Sequence, residues 1–107
     1  MNISFIYTEI DRWALGIRSV SAFLKNAGHS TRLILAGQKK ELCTSSLRDI
    51  RELVKDTDVI GLSCFSRGSD KARQIAEYLR PLGKFIIWGG IHATLNPKEC
   101  AKYADVV

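Results

Sequence analysis

Four short runs of β-branched and aromatic residues, each but the last followed by a longer segment whose apolar side chains recur every three or four positions, set the limits on this chain. The runs are Asn2–Tyr7, Ser30–Leu35, Val59–Ser63 and a stretch opening at Phe85 that closes on Trp88, Gly89 and Gly90. A period of two or an unbroken apolar run predicts strands, and a period near 3.6 predicts amphipathic helices. The two patterns alternate here. Connections this short leave parallel strands joined by right-handed helical crossovers as the economical solution.

The first helix is expected over residues 15–27, with Ile17, Val20, Phe23, Leu24 and Ala27 on its buried face and Gly28 just past its end. Residues 36–44 read as a surface connection. Ser45 or Ser46 is suited to cap a second helix reaching Val54, with Leu47, Ile50, Leu53 and Val54 as its stripe. Ser69 would cap a third, carrying Ala72, Ile75, Ala76 and Leu79 and closed by Pro81 and Gly83. The strand that opens at Phe85 reads as buried. Asn96 and Pro97 open a short fourth helix, and residues 105–107 begin a fifth strand. The expected fold is α/β: a flavodoxin-like (Rossmann-like) doubly wound parallel sheet of order 2-1-3-4-5, three-layer αβα, truncated at strand 5. Stopping in mid-strand, residues 1–107 read as one domain, an excised N-terminal part of a longer chain.

Composition narrows the function classes. With 107 residues, 46% hydrophobic and 25% charged, the chain builds one ordinary core. No apolar run approaches the roughly 20 residues needed to cross a bilayer, and no basic leader precedes the first strand, so a cytoplasmic location is expected. Cys43, Cys64 and Cys100 are odd in number and widely spaced, which fits free thiols rather than a disulfide framework or zinc site. The net charge of +5 comes from scattered lysines and arginines, a solvated surface rather than a nucleic-acid face.

In a doubly wound sheet, ligands bind at the strands' carboxyl edge, where the winding direction reverses. That edge would hold residues 8–16, 63–68 and 89–94. The first loop offers Glu9, Asp11, Arg12 and Trp13 but one glycine, Gly16, which disfavours phosphate-loop nucleotide binding. Strand 3 ends in Ser63, where a phosphoacceptor receiver domain needs an aspartate. Ser63 either satisfies a backbone group or contacts a ligand. Cys64 has no adjacent histidine to activate it. His92 could donate to a ligand, bind a metal or do neither, and His29 serves a helix-ending turn or faces water. The Gly89-Gly90 pair either turns the chain or lets a flat ligand lie against main chain.

Jointly, Leu15-Gly16, Asn26-Ala27-Gly28-His29, Val59-Ile60-Gly61-Leu62-Ser63, Gly89-Gly90-Ile91-His92-Ala93-Thr94, and Asn96-Pro97 through Ala104-Asp105-Val106-Val107 resemble the N-terminal cobalamin (vitamin B12)-binding domain of cobalamin-dependent radical SAM enzymes. The likeness spans nearly the whole chain. In the wider cobalamin-binding family the first loop carries Asp-x-His-x-x-Gly, whose histidine ligates cobalt. Here the loop reads Asp11-Arg12-Trp13-Ala14-Leu15-Gly16, and an indole N–H has no lone pair for a metal. The resemblance therefore implies cobalamin held with no protein axial ligand from this loop. It implies cofactor contacts from Thr8, Trp13, Leu15 and Gly16, from Gly61, Ser63, Cys64, Phe65 and Ser66, and from Gly89, Gly90, His92, Ala93 and Thr94. The nucleotide tail would pass the small residues Gly61, Ser63, Gly89 and Gly90, and Trp13, Leu15 and Phe65 would cover the ring.

The family's Cys-x-x-x-Cys-x-x-Cys motif is absent from these residues. A 4Fe-4S cluster and S-adenosylmethionine are accordingly expected only in a downstream radical SAM domain, with methyl transfer or related radical chemistry performed there and no self-sufficient catalytic site here. Cobalamin and that domain are the expected partners, with no membrane and no nucleic acid. The competing reading is a flavodoxin-like docking or small-molecule sensor domain that takes no cobalamin. A stand-alone hydrolase or transferase using Cys64 or His92 is a third.

Overall fold

The computed structural model describes residues 1–37 and 42–107. The expected connection over residues 36–44 thus lies partly outside the described residues. The strands β1 (Asn2–Tyr7), β2 (Ser30–Leu35), β3 (Val59–Ser63) and β4 (Phe85–Gly89) form one all-parallel sheet of order β2-β1-β3-β4. The helices are α1 (Leu15–Asn26), α2 (Thr44–Val54), α3 (Ser69–Leu79), α4 (Ile91–Leu95) and α5 (Pro97–Cys100). This is the expected flavodoxin-like α/β arrangement. Where a fifth strand is expected, a single parallel bridge joins Val106 to Ile87, with Trp88 N–H donating to Val106 O at 2.9 Å.

Alternation along the strands sorts side chains between two unequal layers. Ile6, Ile34, Ile60, Leu62, Ile86 and Trp88 join the main core with Leu47, Ile50 and Val54 of α2 and Ala72, Ile75, Ala76 and Leu79 of α3. Tyr7, Ala14 and Ile17 form a small second cluster with Phe5, Leu33 and Leu35 beneath α1. The stripe predicted for α3 is buried throughout. In α2, Leu53 stays exposed. The stripe predicted for α1 is mostly open: Ile17 is buried, while Val20 and Phe23 are 50% and 73% exposed. β4 likewise buries only Ile86 and Trp88, and leaves Phe85 and Ile87 exposed on the α1 side. The expectation of a strand buried on both faces fails because nothing among the described residues covers that face of β4.

The helix starts also differ from expectation. Cys43, not a serine, occupies the N-cap position of α2, and the Ser45 and Ser46 hydroxyls turn back to its sulfur at 3.0 and 3.3 Å. Gly68 takes the N-cap position of α3, at the end of a short 3-10 turn, Ser66–Gly68, so Ser69 is already helical. Asn96 holds the N-cap position of α5 without a capping bond, its amide donating instead to His92 O at 3.3 Å. The short helix α4 has no counterpart in the sequence pattern; it leaves β4 directly, across Gly90.

Candidate functional site

The strand register brings the three chain exits to one edge: Tyr7 pairs with Ser63, and Ser63 with Gly89. A depression of about 410 Å³ opens there, bounded by the first loop, the β3 exit and the Gly90–Ile91 turn. A second, apolar groove of about 590 Å³ runs down the α1 side of β3 and β4, between α1 and the sheet. Gly16, Ile17, Ser63 and Gly90 line both, so the two spaces adjoin.

Asp11 shapes the first loop. Its Oδ2 accepts the Tyr7 hydroxyl at 2.8 Å, and its Oδ1 accepts the backbone N–H groups of Trp13 and Ala14 at 3.0 and 3.5 Å. Ala14, the N-cap of α1, sits in the left-handed region at φ 42° and ψ 46°, a conformation that costs an L-residue roughly 1–2 kcal/mol. Arg18 holds the loop from outside, donating to the carbonyls of Trp13 and Arg12 at 2.7 and 2.8 Å. Burial and the bond to Asp11 push the Tyr7 hydroxyl up to about 12, and the same bond lowers Asp11. The Trp13 and Leu15 side chains project from this frame, 73% and 70% exposed, with Phe65 and Ile91 exposed across the depression.

The glycines differ in what they do. Gly90 adopts φ 94° and ψ −174°, and a Cβ there would lie 2.9 Å from Ser63 Oγ, so only glycine fits the turn. At Gly89 nothing lies within 4 Å of where a Cβ would stand, and the residue simply opens the groove. Gly61 makes room first for a neighbour: a Cβ there would meet the Phe5 ring at 2.7 Å.

Of the expected site residues, Trp13, Leu15, Gly16, Ser63, Cys64, Phe65 and Gly90 line the depression, and Gly61 and Gly89 line the groove. Thr8, Ser66, His92, Ala93 and Thr94 line neither space, although Ser66 and Thr94 are exposed. Thr8 is buried and donates to Gly68 O at 2.9 Å. His92 and Ala93 are buried in α4; the His92 N–H donates to Cys64 O at 3.3 Å, and its Nδ1 shares a hydrogen bond with Ser66 Oγ at 3.1 Å. Thr94 Oγ1 donates to Gly90 O at 2.9 Å. His92, Ala93 and Thr94 belong to α4, which turns His92 inward against Trp88. Burial pushes the Cys64 thiol up to about 11, the wrong direction for a nucleophile. Among the described residues, no group of three or more His, Cys, Asp or Glu could hold a metal ion. Tyr7, Ala14, Ile17 and Ile91 also line the depression, and Val20 and Leu24 the groove. Sequence reasoning assigns Ile17, Val20 and Leu24 to the core because helical period cannot tell a filled face from an open one.

A parallel doubly wound sheet with two adjoining apolar spaces at its carboxyl edge defines an α/β domain with a candidate ligand site. Comparison with known families is more specific: the family model of the B12 binding domain matches residues 8–107, and the chain belongs to that family. A curated relative, the bacteriochlorophyllide d C-8(2)-methyltransferase of Chlorobaculum tepidum, is 35% identical over 52 residues. That match covers 49% of this chain and 12% of the relative. No solved structure matches significantly.

Proposed function

We propose that this domain holds cobalamin, with the corrin ring resting on the depression and the nucleotide tail lying in the groove. The observation that carries the reading is that the two spaces adjoin at Gly16, Ser63 and Gly90. A flat ring with a long appendage needs an apolar seat beside a second apolar space, and the residues present fit it. Trp13, Leu15 and Phe65 would cover the ring. Ser63, Gly89 and Gly90 would leave space for the tail, and Ser63 Oγ offers it a hydrogen-bonding group. When bound, cobalamin supplies a cobalt centre able to carry a methyl group. Trp13 stands where the family's ligating histidine would be, so this loop donates no atom to cobalt.

The same reading makes the domain a module of a larger radical SAM enzyme that transfers methyl groups or performs related radical chemistry. The relative's methyltransferase name and the small share of its length that is matched support this. The cluster and S-adenosylmethionine would be bound by another domain of that enzyme. Three free thiols fit a reducing compartment, and we place the protein in the cytoplasm; no helix among the described residues is long and apolar enough to cross a membrane.

Equilibrium titration with hydroxocobalamin, followed by the visible spectrum, tests the proposal. Saturable binding that is lost when Gly89→Phe fills the groove is the expected result. Absence of binding by the wild-type domain would leave the exposed rim of Trp13, Leu15, Phe65 and Ile91 as a protein-docking surface instead.

A further inference from the structure

Glu9 is a carboxylate of the site edge that the cofactor reading leaves without a task. Its side chain is fully buried, with 0% exposure, two residues past the end of β1. Its two oxygens face the β3 exit: Oε2 accepts the Phe65 backbone N–H at 3.0 Å, and Oε1 accepts Arg67 Nε–H at 2.8 Å. The Arg67 side chain is 70% exposed and reaches inward to make this pair. Gly68 lies so close that a Cβ there would collide with Glu9 Oε2, and a Cβ on Gly37 would collide with Glu9 O. Three chain segments therefore close around one residue, and the one between Cys64 and Gly68 is draped over its carboxylate.

Burying a carboxylate is unfavourable unless every lone pair that leaves water finds a donor. Here the two donors come from the segment whose Cys64 and Phe65 form one wall of the depression. We infer that Glu9 is a positioning residue for cobalamin binding: it sets the height of the Cys64–Phe65 wall against the Trp13–Gly16 wall, and so the width of the ring seat. This inference rests on the cobalamin reading. The carboxylate is required because two converging N–H donors need two acceptor oxygens. An amide of the same shape offers one oxygen and turns its NH₂ toward the other donor. Arg67 is the natural second half of the device. Removing its guanidinium from an E9Q chain leaves the single amide oxygen free to accept from Phe65, so the two substitutions should compensate one another.

The test is a double-mutant cycle of E9Q and R67A on the intact chain, read by hydroxocobalamin titration and by the NMR amide resonance and hydrogen exchange of Phe65. The expected result is a loss of affinity of about tenfold or more in E9Q, with recovery to within about threefold of wild type in the double variant. A general loss of stability would not be undone by a second truncation. A folded E9Q protein that binds as wild type does overturns the proposal, and so does a double variant no better than E9Q. If E9Q does not fold, R67A alone decides: a loss of about threefold or more supports the role, and unchanged affinity overturns it. If the wild-type domain binds no hydroxocobalamin, the cofactor reading fails on its own, and Glu9's hold on the wall is judged from the Phe65 amide. Faster exchange in E9Q supports that hold, with Leu62 in β3 unchanged as control, and an unaltered Phe65 amide removes it.

Discussion

Tyr7 donates its phenolic hydrogen to Asp11 Oδ2 across 2.8 Å, tying the last residue of β1 to the loop that lines the cleft. Burial first, and then this bond, hold the hydroxyl near 12 against an ordinary 10.0. Asp11→Asn should move the Tyr7 ionisation back toward 10, read from tyrosinate absorbance. The sign of the stability effect follows from proton binding. A folded-state pKa raised above the unfolded value favours the folded chain fully below about 10, and that contribution is lost as pH rises through about 12. Denaturation midpoints should therefore fall between these pH values, and fall less in D11N.

Cys43 and Cys64 should respond to alkylation in opposite ways. Hydrogen bonds from Ser45, then Ser46, draw the exposed Cys43 thiol down to about 6, whereas burial pushes Cys64 up to about 11. Timed iodoacetamide labelling with mass spectrometry should show Cys43 reacting with a midpoint near pH 6, while Cys64 reacts only after unfolding. Replacing Ser45 and Ser46 by alanine should return the Cys43 midpoint toward its ordinary 9.0. A Cys43 profile centred near 9 in the unmodified chain would refute the hydrogen-bonded arrangement.

Gly90→Ala should destabilise the fold by about 1–3 kcal/mol, measured by urea unfolding, because φ 94° with ψ −174° is open essentially only to glycine. The added methyl would also press on Ser63 Oγ, 2.9 Å away. Both the β4–α4 turn and the Ser63 side chain would have to shift, so hydroxocobalamin affinity should fall in the same variant.

Gly89→Leu separates the site from the fold. Nothing lies within 4 Å of the position its Cβ would occupy, so unfolding free energy should change by no more than about 0.5 kcal/mol. The side chain would enter the groove, and hydroxocobalamin affinity should drop by at least about tenfold. Unchanged affinity in a folded variant would show that the groove is not where the tail lies.

How much of the molecule is legible in its residues depends on whether the signal is local. The strands β1, β2 and β3 are readable to the residue, and the α3 stripe of Ala72, Ile75, Ala76 and Leu79 is buried as its period predicts. The same period misassigns Val20 and Phe23, since amphipathic spacing says only that a face is apolar, not that something covers it. His92 is misplaced for a related reason. Its position after two glycines puts it at the ligand edge, but one additional helical turn is enough to rotate it into the core beside Trp88.

Periodicity, turn residues and the Gly89-Gly90 pair in the sequence determined the parallel α/β architecture, its strand order and the edge at which the candidate site is sought, because these follow from short-range backbone preferences and from which faces must leave water. The partnership of Glu9 with Phe65 and Arg67, the meeting of depression and groove at Ser63, and the hydrogen bond between Ser66 and His92 were decided by tertiary structure alone. Each of these joins groups more than twenty residues apart, and no local preference specifies a distance between chain segments that meet only when the sheet closes.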